Sequence, residues 1–212
     1  MKHSLPFLGL LATVTGLSLS SCDTTRETVS TAASPATMRS EANGLDTITS
    51  YHRDLTQGTT QYNVKTTGDG SMRMLTVAVR QNGRPLASRQ DTLDGEVQQT
   101  ALLLTPGGQP NLLVFVQSAG SGSYGQLYGY WVDGQALRRL PGLPDLAGAA
   151  SQGYQGHDSL QVLSQEVVRS FPIYAPADAN CCPSGGQRTV RYTLVNPSQG
   201  WRQVRVEQTS AK

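Results

Sequence analysis

Four short segments carry residue types that do chemistry. Ser118-Ala119-Gly120-Ser121-Gly122-Ser123-Tyr124 sets six small residues before a tyrosine. Such a run is either a plain flexible connection or a protruding loop of exposed N–H groups, hydroxyls and one aromatic ring. Glycine and serine add no bulk, so a loop of the second kind can enter a narrow cleft. Its donors suit carboxylate oxygens, because charge-assisted hydrogen bonds are the strong kind. Gly156-His157-Asp158 places a histidine beside an aspartate, the two members of many general-base pairs. Neighbours on an extended strand point to opposite faces, so these two serve better as loop structure than as a catalytic couple. A serine nucleophile would call for a Gly-x-Ser-x-Gly elbow, and Gly120-Ser121-Gly122 has the wrong spacing. Asp178-Ala179-Asn180 stands ahead of Pro183, Gly185 and Gly186 and offers half of a calcium loop. The acids that would complete it are missing, which favours an Asx-turn. The adjacent pair Cys181-Cys182 is a candidate for a vicinal disulfide, for a link to a second chain, or for two free thiols. A metal site would need more ligands nearby, and none of the right spacing exists. No metal and no cofactor is expected.

The elements that must position these residues read as strands. Between Ile48 and Lys212 short apolar runs alternate with turn signals. Thr60 to Lys65 is mixed and reads as an edge. Met72 to Arg80 alternates, with Leu75, Val77 and Val79 on one face. Asn82-Gly83 follows, a strong two-residue hairpin signal, and Leu86 to Thr92 returns. Val97 to Leu104 comes next, although Gln98 to Leu104 also fits a helix. Leu112 to Gln117 is apolar throughout its first five positions and reads as a central strand covered on both faces. Gln126 to Val132 precedes Asp133-Gly134, a second hairpin signal. Leu160 to Leu163, Val167 to Phe171, Thr189 to Val195 and Trp201 to Val206 complete the set. The expectation is an all-β fold, an antiparallel β-sandwich or flattened barrel of about eight to ten short strands.

Residues 1–21 read as a lipoprotein signal peptide. Lys2 gives a positive start and Leu5 to Leu19 an uncharged, mostly apolar run. That run is shorter than the roughly 20 residues of a comfortable membrane span. Leu19-Ser20-Ser21-Cys22 resembles a bacterial lipobox, whose cysteine thiol takes a diacylglycerol. Cys22 is therefore the expected lipidation site and the anchor to the membrane, with the bacterial cell envelope as location, facing the periplasm or the cell surface. Residues 22–47 are rich in Ser, Thr and Ala and lack aromatics, which suits a flexible tether with a reach of roughly 25–30 Å. Residues 48–212 then form one domain.

Three blocks downstream of the Ser-Gly run complete a pattern. They are Tyr154-x-Gly156-His157-Asp158, Arg169-x-Phe171-Pro172-x-Tyr174, and Asp178-x-Asn180-x-x-Pro183-x-Gly185-Gly186-x-Arg188-x-x-x-Tyr192-x-Leu194. In this order and spacing, over Val114 to Val195, they resemble the bacterial periplasmic inhibitors of invertebrate-type (i-type) lysozymes. The resemblance implies an antiparallel β-sandwich, often a homodimer, whose Ser-Gly-x-Tyr loop plugs the lysozyme cleft. The corresponding loop here is Ser121, Gly122, Ser123 and Tyr124. Ser121 and nearby N–H groups would hydrogen-bond the enzyme's catalytic carboxylates, and Tyr124 would brace the loop. Arg138 and Arg139 are candidate rim contacts. Two features depart from the pattern. Soluble periplasmic members lack a lipobox, and Cys181-Cys182 fills spacer positions.

Charge and composition exclude several function classes. Lys+Arg number 17 against Asp+Glu 15, a formal charge of +2, so no strong field draws nucleic acid. The domain itself holds 14 basic and 11 acidic side chains. An enzyme is not expected, because a hydrolase would require clustered carboxylates or a serine–histidine pair. The expected function is inhibition of lysozyme, the i-type first, in host-defence evasion. The alternative is a non-enzymatic envelope binding or assembly lipoprotein with another protein or glycan partner.

Overall fold

The computed structural model describes residues 48–105 and 108–210. The expected signal peptide, the Cys22 lipidation site and the tether to residue 47 lie outside them. The described residues form twelve strands. Three antiparallel sheets hold four strands each, and none closes into a barrel.

The first sheet has the order β1-β2-β3-β4, from Thr49–Gln57, Thr60–Thr67, Met72–Gln81 and Arg84–Asp94. The second has the order β5-β6-β7-β8, from Glu96–Leu103, Asn111–Gln117, Gly125–Asp133 and Ala136–Arg139. The third has the order β12-β11-β10-β9, from Gly200–Thr209, Gln187–Asn196, Glu166–Pro172 and Ser159–Leu163.

Two apolar layers join the sheets. Leu113, Phe115 and Leu127 of the second sheet pack with Val167, Phe171, Val190 and Tyr192 of the third. Leu112, Val114 and Val116 pack with Tyr62, Val64, Leu75 and Val77 of the first. Because side chains alternate across a strand, β6 sends odd positions to one layer and even positions to the other. That is why its run from Leu112 to Val116 is apolar without alternation, and why the second sheet is the middle of three layers. The antiparallel, sandwich-like character matches the expectation, with a third sheet added to the stack.

Strand β3 alternates as its sequence predicts. Leu75, Val77 and Val79 are buried, while Met72 and Met74 face outward. The Asn82-Gly83 turn is formed with both residues at positive φ, 52° and 75°, the twist a two-residue hairpin demands. Gly134 likewise has φ 61° after Asp133. Ser164 and Gln165 turn β9 into β10 at φ 49° and 66° without a glycine.

Two expectations change. Strand β2 is not an edge, because β1 pairs along it from Thr49↔Thr67 to Gln57↔Thr60. Only Tyr51 and Leu55 of β1 pack against the core, so it lacks the apolar alternation that marks a half-buried strand. Residues Gln98 to Leu103 are strand and not helix, because pairing with β6 from Thr100↔Val114 to Leu103↔Asn111 takes their backbone groups. Strand β8, with four residues, is too short to show a period.

Candidate functional site

The loop Ser118–Tyr124 joins two strands of the middle sheet, and its own backbone organises it. The Ser118 N–H donates to Tyr124 O at 2.9 Å, and the Tyr124 N–H donates to Ser118 Oγ at 3.0 Å. The Ser123 N–H donates to Gly120 O at 3.3 Å, and Gln117 Nε2 donates to Ser123 O at 3.3 Å. Gly120 and Ser123 both take positive φ, 110° and 43°. At the tip Ala119, Gly120 and Ser121 are exposed, and Tyr124 is 48 % exposed. The Ser121 hydroxyl makes no hydrogen bond among the described residues. The plain flexible connection is thus not what forms. The loop is a closed turn that shows one serine and the face of one tyrosine to solvent.

The second motif block is the platform under this turn. The His157 N–H donates to Gly122 O at 2.7 Å, and the Asp158 N–H donates to Ser123 O at 3.4 Å. Gly156 must be glycine, because a Cβ there, at φ 93°, would lie 1.9 Å from Gly122 O. Gly122 must be small for a related reason. A Cβ on it would lie 2.4 Å from Tyr124 Cε2, since that ring folds back over the glycine. The Gly-x-Tyr spacing is therefore a packing contact within the turn. The Tyr124 ring meets Tyr154 edge-on with centroids 5.9 Å apart, and Tyr154 meets buried Phe171 at 4.7 Å. Three aromatics run from the tip of the loop into the core.

Beneath them lies a buried ion pair. The Asp158 side chain is fully shielded from solvent and Arg169 is 11 % exposed. Arg169 Nε donates to Asp158 Oδ1 at 2.7 Å and Nη2 to Oδ2 at 3.2 Å. The same Oδ2 accepts from the Tyr154 hydroxyl at 2.6 Å and from the Gly125 N–H at 2.8 Å. Arg169 Nη2 also donates to the Tyr154 hydroxyl at 2.5 Å, and its guanidinium lies over that ring, 4.9 Å from the centroid. One carboxylate thus takes charged and neutral donors from three elements and fixes both the end of the loop and its platform. Burial works against the Arg169 charge, but the hydrogen bond and charge of Asp158 outweigh it and raise the guanidinium pKa. Burial, then the hydrogen bond to Asp158, push the Tyr154 hydroxyl well above its ordinary value. The Tyr192 hydroxyl is buried beside Arg169, outside hydrogen-bond geometry.

The remaining candidates fall into place around this unit. His157 and Asp158 do not form a couple, since the carboxylate turns to Arg169 and the imidazole packs against Tyr174, centroids 6.2 Å apart. His157 sits at φ 57°, and its Nε2 is buried without a hydrogen-bond partner. Asp178 closes a loop as the Asx-turn expectation requires. Its Oδ2 accepts from the Ala175 and Ser184 N–H groups at 2.6 and 2.7 Å, and Oδ1 accepts from Ser184 Oγ at 2.7 Å. Those donors, the Ser184 N–H first and the Ala175 N–H next, hold its pKa below the usual carboxylate value. The Asn180 carbonyl accepts from the Tyr174 hydroxyl at 2.9 Å. Arg188 donates to the carbonyls of Ala150 and Gln152, at 3.2 and 2.6 Å, just ahead of Tyr154.

Cys181 and Cys182 are free, exposed thiols and not a vicinal disulfide. Adjacent Cα atoms stand about 3.8 Å apart, closer than the roughly 4.4–6.8 Å that disulfides span. Arg138 and Arg139 lie on β8, opposite Trp131 and Tyr130 in the far half of β7 from the loop. Arg138 pairs with Asp133 at 2.6 Å, and the Arg139 guanidinium stacks 4.4 Å from the Tyr128 ring centroid. Among the described residues no hydrogen bond joins either arginine to the Ser-Gly turn, and Arg139 lines a groove with Gly125 and Arg169 at the base of that turn.

Sequence reasoning missed the Asp158–Arg169–Tyr154 network as a unit. One signal was present: Arg169 interrupts an apolar strand between Val168 and Phe171, and a charge there requires a partner. Chemically, the site offers hydrogen-bond donors and an aromatic ring turned toward solvent. Against protein-family models, curated proteins and solved structures, the chain finds no match.

Proposed function

We propose that this chain is a non-enzymatic envelope lipoprotein, acylated at Cys22, whose domain inhibits lysozyme, the i-type first, by seating the Ser121–Tyr124 turn in the catalytic cleft. The observation that carries the reading is convergence. Four motif blocks, spread from Ser118 to Leu194, meet around one exposed turn. The platform 156–158 holds Gly122 and Ser123, Arg169 and Tyr154 hold Asp158, and Tyr174 joins His157 to Asn180. So much structure beneath six small residues and a tyrosine suits a loop that must keep its shape when it meets a partner.

A glycosidase cleft presents one carboxylic acid and one carboxylate flanking the scissile bond. The Ser121 hydroxyl and the N–H groups at the tip supply donors with no charge of their own. Each hydrogen bond to a carboxylate contributes about 1.5–3 kcal/mol. The exposed face of Tyr124 packs on the cleft wall. Because the turn is uncharged, affinity falls only mildly with salt.

The test is competition in the cleft. Binding of an i-type lysozyme to the protein should be displaced by a chitooligosaccharide that fills the enzyme's subsites. It should be lost when Ser121→Ala and Tyr124→Ala are combined in a protein of unchanged circular dichroism. Lysozyme binding that the sugar does not displace would place the contact elsewhere and end this reading.

A further inference from the structure

We propose that Cys181 and Cys182 form a two-thiolate chelate for a soft monovalent metal ion, Cu(I). This goes beyond the lysozyme reading and does not depend on it.

The loop carrying the pair is fixed without either thiol. Asp178 takes the Ala175 N–H, the Ser184 N–H and the Ser184 hydroxyl. The Tyr174 hydroxyl holds Asn180 O, and the Cys182 N–H donates to Ala179 O at 2.9 Å. Its far end is tied to the third sheet, where the Ile173 N–H donates to Gly186 O at 2.9 Å and the Gly185 N–H to Ile173 O at 2.8 Å. The result is an ordered turn that presents two exposed thiols side by side. Neither packs into the core, so burial does not account for them.

The geometry favours a chelate over a bridge. A disulfide must bring the sulfurs to about 2.05 Å across Cα atoms that are already too close. An ion placed between the sulfurs lets them stand apart. Thiolates are soft donors that take Cu(I), zinc and iron–sulfur clusters, and of these Cu(I) is the one that two ligands satisfy, since zinc takes four. Among the described residues no group of three or more His, Cys, Asp or Glu side chains is placed to hold a metal ion, so the pair would act with two protein ligands. On binding, two S–H bonds release their protons to solvent and two Cu–S bonds form. Copper stays monovalent, so no oxidant or reductant is consumed. Proton release makes the affinity rise with pH up to the thiol range.

The experiment uses the full chain with Cys22→Ala, so that only this pair carries thiols. Cu(I), kept reduced under anaerobic ascorbate, is titrated against a chromophoric Cu(I) chelator. The expected result is one ion per chain, with a thiolate-to-copper band in the near ultraviolet. Cys181→Ser or Cys182→Ser alone should each cost roughly 100-fold or more in affinity, because the second thiol acts at high effective concentration. Both positions are exposed, so circular dichroism of the variants should not change. No binding that resists the chelator would overturn the proposal. So would two ions per chain, single variants within a few-fold of the parent, or one ion shared between two chains.

Discussion

Replacing Asp158 by asparagine removes one charge and almost no volume, at a site where the charge organises three elements. The side chain is fully shielded from solvent, and it faces Arg169 Nε, Arg169 Nη2, the Tyr154 hydroxyl and the Gly125 N–H. All four are donors. An asparagine supplies one acceptor oxygen and an NH2 that meets a donor, and Arg169 is left as a buried charge without compensation. Breaking one side of a buried pair costs about 3–5 kcal/mol. For a domain of this size that corresponds to a fall of roughly 6–20 °C in Tm. Urea denaturation and calorimetry read both quantities. Arg169→Met in the same background should recover much of the loss, because an apolar side chain needs no partner. The coupling between the two positions should therefore be large, roughly 1–3 kcal/mol. If Asp158→Asn costs less than about 1 kcal/mol, the pair behaves as an exposed one. The network would then not be the foundation of the loop.

Three further outcomes follow from the geometry. Gly156→Ala should destabilise the protein by about 1–3 kcal/mol, since its Cβ would meet Gly122 O at 1.9 Å and its φ is 93°; amide exchange at His157, whose N–H holds Gly122 O, should speed up. Leu112→Ala and Leu113→Ala should each cost about 2–5 kcal/mol in urea denaturation, because β6 faces an apolar layer on both sides; a two-layer fold would tolerate one of them. The Asp178 carboxyl has its pKa depressed in the fold, so the stability it gives the 175–184 loop is fully present above its unfolded value near 4 and is lost as pH falls through the lower folded value. Exchange of the Ser184 amide, followed by NMR, should accelerate over that acid range, and Asp178→Asn should reproduce the effect at neutral pH.

Much of the fold was legible because local chemistry and tertiary context agreed. Asn82-Gly83 forms the hairpin its residue types demand, and the continuous apolar run of β6 signals a strand covered on both faces. What stayed illegible has identifiable causes. Strand β1 is an edge that buries parts of only two side chains, so it carries no periodicity, and without it β2 looked like the edge. Strand β8 has four residues and one buried side chain, Leu137, too few to show an alternation. The third sheet could not be counted, because alternation tells which face of a strand is apolar and not which sheet covers it. At the site, the loop and its platform were visible as motifs. Their attachment was not, since Asp158 and Arg169 meet across eleven residues and two strands, where spacing carries no information. The histidine beside Asp158 was the more conspicuous neighbour and is not its partner. The placement of Arg138 and Arg139 depended on the register of β7 with β8, which only the pairing reveals.

The central claim is that the Ser121–Tyr124 turn occupies a lysozyme's catalytic cleft. Its most direct test is the lytic activity of i-type, c-type and g-type lysozymes titrated with this protein, alongside Ser121→Ala/Tyr124→Ala. The account predicts inhibition of the i-type enzyme at near one-to-one stoichiometry, lost in the double variant while the fold is kept. Undiminished activity of all three enzymes in the presence of the folded protein would contradict it.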